Sequence, residues 1–201
     1  MKPKLLVLAS GQGTTFAALV AAEQKLLLDM QVVALITDRD CGALALARQS
    51  HISAHLVSYT EDKESFADRL QKHVDSIRPD FIMLAGFLRK VPDAVVRHYH
   101  NRIFNTHPSL LPDFGGAGMY GLNVHRAVIA AHRAVTGITF HCVSESYDEG
   151  AIIAQKQVAV QPGDTAEILE ERIKSIEKYF VIEQLNVRAS HFRRESGISP
   201  Q

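Results

Sequence analysis

Buried strands are the strongest constraint on how this sequence can fold. Unalternating apolar runs of about five residues stand at 5–9, 32–36 and 81–85, and such runs are typical of strands covered on both faces. Helical segments separate them, as at 14–28 and at 64–77, where apolar residues recur every three or four positions. This alternation predicts an α/β fold with a doubly wound, mostly parallel sheet, in which the ligand crevice lies at the carboxyl ends of the strands.

The second half of the chain predicts a different end to this sheet. Two strand-like segments at 136–144 and 151–160 have the spacing of an antiparallel pair. A long helix follows, and Asp164 with Glu167 forms a capping-box pattern at its start. The polar tail from about Ser190 is expected to fray.

Composition narrows the class of protein. The 201 residues carry 22 basic and 22 acidic side chains, and 46% are hydrophobic, which is ordinary globular usage. Such a balance gives no general attraction to nucleic acid or to a membrane surface, so neither partner is expected. Two cysteines are too few for a disulfide scaffold. Without a signal peptide or an apolar run near 18 residues, a cytoplasmic protein is expected.

The segment Ser10-Gly-Gln-Gly-Thr-Thr15 lies between the first buried strand and the first helix. Its glycines allow a sharp turn that exposes backbone N–H groups, and the start of the helix adds partial positive charge. Together with the hydroxyl groups, these features predict a phosphate-binding loop. Phe16 replaces the third glycine of the dinucleotide fingerprint and the P-loop ending is missing, so neither of those sites is expected. A turn without a ligand stays the alternative.

Asn105 and His107 stand two residues apart, at the end of a predicted strand over 102–106. Side chains with this spacing project to the same side of a strand, so both would face the crevice. An amide donor beside an imidazole suits the stabilisation of an oxyanion while a proton moves. Pro108 and Pro112 stiffen the turn that follows. The sequence therefore selects His107 from among the histidines as a catalytic candidate.

Asp148 lies in a turn before the last predicted strand, which is a common position for aspartate. If the fold brings it against His107, it can orient the ring and stabilise its positive charge, and the residues alone leave both alternatives open. Ser109 lacks the nucleophile-elbow motif, so a serine hydrolase is not expected. No zinc-type spacing of His and Cys occurs in the sequence, and no metal is expected.

These motifs converge on one family. The chain resembles the folate-dependent formyltransferases over about residues 4–185. The resemblance is carried by Ser10-Gly-x-Gly13, Leu84-Ala-Gly-Phe-x-Arg89, Asn105-x-His-Pro-Ser-Leu-Leu-Pro112 and Asp148-x-Gly150. It implies one formyltransferase domain over 1–201, with a Rossmann-like phosphate-binding half at about 1–100 and a catalytic, folate-binding half at about 101–190.

The resemblance also implies a reaction. The co-substrate would be 10-formyltetrahydrofolate, and the first glycine loop points to glycinamide ribonucleotide of purine synthesis as the amine that attacks the formyl carbon. Asn105 and a protonated His107 would stabilise the tetrahedral oxyanion, and Asp148 would support that charge and help to relay the proton. No covalent intermediate with the enzyme is needed.

Substrate contacts follow from the same resemblance. The ribose phosphate would be held by Gly11, Gln12, Gly13 and Thr14, with Lys63 reaching it, while Glu177 would anchor the glycinamide end. The folate pocket would be lined by Leu88, Arg89, Lys90, Val91 and Val143. Arg89 and Lys90 also suit the glutamate tail of the folate. From the residues alone, an exposed basic pair and an exposed glutamate explain these charged side chains equally well.

The chain departs from the family pattern in several places, among them the tyrosine–proline pair that often follows the helix glutamate and is absent here, near Phe180-Val181. Thr14-Thr15 stands where Ser-Asn is usual, and Asp113 replaces a basic residue. The glycine-rich segment 114–121 is longer than the usual loop, and it predicts either a mobile lid or an inert surface loop. These changes bear on substrate details more than on the chemistry.

Three other functions compete with this prediction. Formyltetrahydrofolate hydrolase and other formyltransferases of the superfamily share the central motifs. A nucleotide-binding module without catalysis would use the glycine loop alone, because a fold does not determine a function. A monomer or a homodimer is compatible with the sequence.

Overall fold

A computed structural model describes residues 2–195, which form one seven-stranded sheet flanked by six helices. The strands are β1 (Lys4–Ala9), β2 (Gln31–Thr37), β3 (Ser53–Leu56), β4 (Phe81–Leu84), β5 (Ile103–His107), β6 (Val135–Cys142) and β7 (Ile152–Ala159). The helices are α1 (Thr14–Gln24), α2 (Gly42–Gln49), α3 (Phe66–Ile77), α4 (Asp93–His98), α5 (Leu122–Ala130) and α6 (Ala166–Glu195).

The strand order is β3-β2-β1-β4-β5-β6-β7. The first five strands in this order are parallel, and β6 and β7 continue the sheet in antiparallel pairing. This confirms the predicted fold class. The order of strands reverses between β1 and β4, and the ligand crevice of such sheets lies at this switch point. The glycine loop, which follows β1, therefore opens into the crevice.

Side chains of β1 explain why its apolar run does not alternate. Leu5, Val7 and Ala9 pack into one core with residues of α1 and α6. Leu6 and Leu8 pack into a second core on the opposite face of the sheet, with residues of α3 and α4. Because both faces are covered, every position of the strand after its first residue is buried.

The start of α6 differs from the predicted capping box. Thr165 is the residue whose side chain caps the helix, since its Oγ1 accepts a hydrogen bond from N–H of Ile168 at 3.3 Å. The Asp164 carboxylate instead accepts hydrogen bonds from Nη2 of Arg172, 2.7 Å away, and from N–H of Gln161. The ion pair with Arg172 draws Asp164 away from the helix end.

The end of α6 also differs from expectation. The helix continues through Ser190 to Glu195, because its last turns are still packed on the sheet. Ala189 is fully buried, and the rings of Phe192 and Phe81 lie 5.2 Å apart. The part of the predicted frayed tail at 196–201 lies outside the described residues. Within residues 2–195, no helix combines the length and the apolar character needed to cross a bilayer.

Candidate active site

Asn105 and His107 lie at the carboxyl end of β5, next to the switch point. Neighbouring β6 pairs with this end in antiparallel register, which sets His141 opposite Asn105 and Thr139 opposite His107. Asn105 and His107 share one face of β5, as their spacing predicts. Four polar side chains from two strands are thereby concentrated at this end of β5.

The imidazole of His107 is buried and has a hydrogen-bond acceptor at each nitrogen. Its Nε2 donates to the carbonyl oxygen of Phe114 at 2.8 Å. Its Nδ1 lies 3.4 Å from Oδ2 of Asp148, which is an ion-pair distance when the ring is protonated. The structure thus brings together the two residues whose contact the sequence left open.

A tight turn brings Asp148 to this position. Its backbone has a positive φ of 56°, and its Oδ2 accepts a hydrogen bond from N–H of Gly116 at 3.0 Å. Two residues later, Gly150 lies so close to the carbonyl of Cys142 that a Cβ atom would overlap with it. The glycine therefore allows the turn to lie against the end of β6 and to present Asp148 to the imidazole.

The side-chain amide of Asn105 is oriented by His141. Nδ2 of Asn105 donates to Nε2 of His141 at 3.1 Å, and Nδ1 of His141 donates to its neighbouring backbone carbonyl at Cys142, 2.9 Å away. Burial lowers the pKa of His141 below its ordinary value, which favours the neutral ring that this arrangement needs. An amide carries two N–H groups, so Asn105 keeps a second donor for a ligand.

The turn after His107 is fixed by a buried hydroxyl. Oγ1 of Thr139 donates to the carbonyl of Ser109 at 2.7 Å and accepts from N–H of Leu111 at 2.9 Å. Gln155 on β7 donates to both Thr139 and the carbonyl of Leu111. The polar partners of this turn are thus supplied by β6 and β7, which makes the antiparallel strands part of the site's scaffold.

A small cavity of about 60 Å³, here called the central cavity, opens beside these groups. Its wall includes Asn105, His141, Asp148, Arg89, Lys90, Val91 and Val143. An adjoining groove of about 430 Å³, the outer groove, shares Arg89, Lys90 and Val91 and adds Leu88, Tyr59 and Lys63. All five residues predicted for the folate pocket thus line one of these two connected spaces.

The glycine loop borders a third space of about 500 Å³, the loop cavity. Gly11, Gln12, Gly13 and Thr14 form one side, and Glu177, Lys174 and Lys178 of α6 form the other. Gly13 has a φ of 77°, and a Cβ atom there would lie 2.8 Å from Cα of Ala43, so the loop can approach α2 only with glycine at this position.

Glu177 joins the loop cavity to β5. Its Oε1 accepts a hydrogen bond from the hydroxyl of Thr106, the residue between Asn105 and His107. Burial raises the pKa of the Glu177 carboxyl. Since adjacent residues of a strand project to opposite sides, the end of β5 faces the central cavity with Asn105 and contacts the wall of the loop cavity through Thr106.

Lys63 is the one predicted ligand that lies apart from its expected partners. It lines the outer groove, with its Nζ 5.9 Å from the centroid of the Tyr59 ring, rather than the loop cavity. The path of the chain between β3 and α3 sets this position. The structure therefore does not bring Lys63 to the glycine loop, where the resemblance placed it.

Comparisons with known proteins agree with this architecture. Residues 3–185 match the formyl transferase family. This chain is 39% identical to a chloroplastic phosphoribosylglycinamide formyltransferase of Vigna unguiculata, over 90% of this chain and 59% of that protein. It is 34% identical to the phosphoribosylglycinamide formyltransferase of Bacillus subtilis, over 90% of this chain and 94% of that protein.

A solved structure extends the similarity to the fold. The phosphoribosylglycinamide formyltransferase of Coxiella burnetii superposes with a TM-score of 0.86 at 36% identity, covering 95% of this chain and 89% of that one. The chain belongs to the formyl transferase family. It spans less than two thirds of the length of the plant members that it matches, 59% in Vigna unguiculata and 64% in Arabidopsis thaliana.

This member of the formyl transferase family holds three site residues that the sequence alone did not single out. His141 orients Asn105, and its position opposite that residue could be recognised only from the register of β6. Lys174 on α6 lines the loop cavity, one helical turn before Glu177, and that spacing was an available signal. Asp38, directly after β2, forms an ion pair with Arg89.

Proposed function

We propose that this protein transfers the formyl group of 10-formyltetrahydrofolate to the amine of glycinamide ribonucleotide, the reaction for which its relatives are named. The observation that carries the proposal is the meeting of Asn105, His107 and Asp148 at the end of β5. Asn105 and Asp148 line the central cavity, and Thr106, between Asn105 and His107, contacts Glu177 in the wall of the loop cavity.

Asn105 has the role of oxyanion donor. Its Nδ2 gives one hydrogen to His141 and directs the other toward the central cavity. When the amine attacks the formyl carbon, the carbonyl oxygen gains negative charge, and a donor already held in place stabilises that charge without reorganisation. His141 must accept a hydrogen bond to hold the amide in this orientation, which its neutral state permits.

His107 acts as the cationic partner. The carbonyl of Phe114 can only accept a hydrogen bond, so Nε2 carries a proton in this arrangement. The Asp148 carboxylate lies 3.4 Å from the other nitrogen, where it can balance the positive charge of a protonated ring. A protonated ring stabilises the oxyanion through its positive charge, while Asp148 balances the charge of the ring.

The proton of the attacking amine must reach the leaving group. Attack forms the new C–N bond and leaves a positively charged nitrogen on the tetrahedral intermediate. Asp148, which faces the same cavity, accepts that proton directly or through water and returns it to N10 of the folate as the C–N10 bond breaks. The products are the formylated amide and tetrahydrofolate, and no side chain is acylated.

The nucleotide binds in the loop cavity. Backbone N–H groups of residues 11–13 and the Thr14 hydroxyl surround the phosphate at the start of α1, where the helix dipole favours an anion. Lys174, on the facing wall, adds positive charge in place of Lys63. The Glu177 carboxylate holds the glycinamide end near Thr106, directly behind the catalytic residues on β5.

The folate binds along the central cavity and the outer groove. Backbone groups of Leu88 and Val91, with Val143 opposite, enclose the pteridine ring next to Asn105. Lys63 lines the outer groove and not the central cavity, so we assign it to the negatively charged glutamate tail of the folate. Arg89 and Lys90 line both spaces and add to the positive charge there.

The proposal is tested by following the consumption of 10-formyltetrahydrofolate with and without glycinamide ribonucleotide. Consumption that needs the amine supports formyl transfer. Equal consumption without the amine would indicate the hydrolase, and no consumption under either condition would indicate a non-catalytic nucleotide-binding module. The cytoplasmic location, the monomeric or dimeric state and the single domain with its two halves stay predictions.

A further inference from the structure

Asp38 is a fully buried carboxylate at the carboxyl end of β2, with 0% of its side chain exposed. Two guanidinium groups compensate its charge. Nη2 of Arg39 lies 2.9 Å away, and Nε of Arg89, far along the chain, lies 2.8 Å away. Because burial of a carboxylate is costly without such partners, this pairing holds the Arg89 side chain against the end of β2.

A second connection runs from Asp38 through Ser10. The Ser10 hydroxyl lies near the Asp38 carboxylate and helps to lower its pKa, and the hydroxyl oxygen accepts a hydrogen bond from N–H of Leu88 at 2.9 Å. Burial alone would raise the pKa of Asp38, but the hydrogen bonds from Arg39, Ser10 and Arg89 outweigh burial and lower it. The carboxylate is therefore ionised at neutral pH and can hold both contacts.

These two connections end on adjacent residues, Leu88 and Arg89. Leu88 is held by its backbone and Arg89 by its side chain, which also stacks on Tyr59 with its guanidinium carbon 4.0 Å from the ring centroid. Two fixed points on neighbouring residues define both the position and the rotation of the segment 88–91. That segment forms the wall shared by the central cavity and the outer groove.

We propose that Asp38 is a positioning residue for the folate co-substrate, because it holds Leu88 and Arg89 in the orientation that shapes the folate side of the site. This inference rests on the proposed function. Asp38 touches no substrate in this assignment. It acts directly through Arg89. It also acts through Ser10, which begins the phosphate-binding loop, so one carboxylate links the folate side of the site to the nucleotide side.

The test replaces Asp38 with asparagine, which keeps the shape and removes the charge. In Asp38→Asn the KM for 10-formyltetrahydrofolate should rise at least about tenfold, comparable to losing one hydrogen bond between charged groups. The kcat at saturating folate should fall much less, since the catalytic residues on β5 and β6 are untouched. An unchanged folate KM in a folded variant would overturn the proposal.

Asp164→Asn is the matched control. Asp164 is also buried, with 4% of its side chain exposed, and it also pairs with an arginine, Arg172. Both variants should unfold at a lower temperature than the wild type, but only Asp38→Asn should change the folate KM. A similar rise in KM in both variants would mean that general destabilisation is the cause, and the positioning role would be rejected.

A double-mutant cycle with Arg89→Gln tests whether Asp38 affects folate binding through Arg89. If Asp38 acts through Arg89, the double variant should have a folate KM no higher than that of the more impaired single variant. Multiplication of the two single effects would contradict action through Arg89.

Direct binding separates this proposal from the proposed function. Calorimetric titration with tetrahydrofolate should show tight binding to the wild type and weaker binding to Asp38→Asn. A wild type that does not bind tetrahydrofolate would refute the proposed function. A wild type and a variant that bind it equally would refute the role of Asp38 alone.

Discussion

Nδ1 of His107 lies 3.4 Å from Oδ2 of Asp148, although a loop, a helix and a strand separate the two residues in the chain. The contact depends on the glycine-rich segment 114–121. Its backbone accepts from His107 at Phe114 and donates to Asp148 at Gly116. The backbone of the segment therefore holds both side chains in this structure, and its movement as a lid stays a prediction.

Replacement of His107 by alanine should remove transition-state stabilisation while leaving substrate binding intact. His107→Ala should lower kcat about 100- to 1,000-fold, which is typical for the loss of one oxyanion-stabilising group. His191→Ala, at an exposed position of α6, is the control and should keep wild-type kinetics. Steady-state kinetics with both substrates measure the effect, and wild-type turnover in His107→Ala would end its catalytic assignment.

Replacement of Asn105 by aspartate should affect both the oxyanion and His141. The new carboxylate has no N–H to donate, so kcat should fall by a similar factor of about 100 or more. A negative charge beside His141 should also raise the pKa of that imidazole relative to the wild type, where burial keeps it low. Titration by NMR measures the pKa, and an unchanged value would show that the pair is not formed.

Stability should decrease as the pH falls, in part through His125. This residue is buried, and its Nδ1 has no hydrogen-bond partner among residues 2–195. Burial lowers its pKa below the ordinary 6.5, so between these two pKa values the unfolded chain binds more protons than the folded one. The free energy of unfolding therefore falls as the pH drops through about 6.5.

His125→Leu isolates this contribution. The variant cannot take up the proton at this position in either state, so its stability relative to the wild type should improve as the pH is lowered from neutral. Denaturant unfolding at a series of pH values measures the difference. A difference that is constant with pH would show that His125 titrates normally in the folded protein.

The two glycines of the phosphate loop should differ in their tolerance of alanine. A Cβ atom on Gly13 would crowd Ala43 and would also require a positive φ, whereas one on Gly11 meets nothing within 4 Å. Gly13→Ala should therefore lose about 1–3 kcal/mol of stability, and Gly11→Ala should lose little. Thermal unfolding tests this, and equal losses would contradict the described loop conformation.

Glu177 should matter for the nucleotide and not for the folate. Glu177→Gln replaces the carboxyl group that would hold the amine end of the substrate with an amide, so the KM for glycinamide ribonucleotide should rise about tenfold. Glu183→Gln, on the exposed side of the same helix, should have no effect. If both variants kept the wild-type KM, Glu177 would be a structural partner of Thr106 only.

The parallel part of the fold was predictable because both faces of the sheet are buried. Runs such as 5–9 and 81–85 carry that information without any partner strand. Helix α4 was not predicted, since its six residues are too few to show a helical period. The predicted capping box at the start of α6 was wrong because Asp164 pairs with Arg172 instead. Local sequence rules do not consider such a partner.

The site was predictable as far as short motifs define it. Asn105 and His107 share a motif, and their common face follows from strand geometry. The role of His141 could not be predicted, because it depends on the register of two strands. The role of Asp38 could not be predicted either, because it depends on a contact with Arg89, which is far away in the chain. Lys63 lines the outer groove rather than the loop cavity, and this position could not be predicted because the path of a loop is not contained in its sequence pattern.

The destination of the formyl carbon tests the proposed transfer most directly. The protein is incubated with 10-formyltetrahydrofolate labelled with carbon-13 in the formyl group, together with glycinamide ribonucleotide, and the products are followed by NMR. Amine attack within the site formed by Asn105, His107 and Asp148 predicts that the label appears as an amide on the nucleotide. Label that appears as free formate, at the same rate with or without the nucleotide, would contradict it.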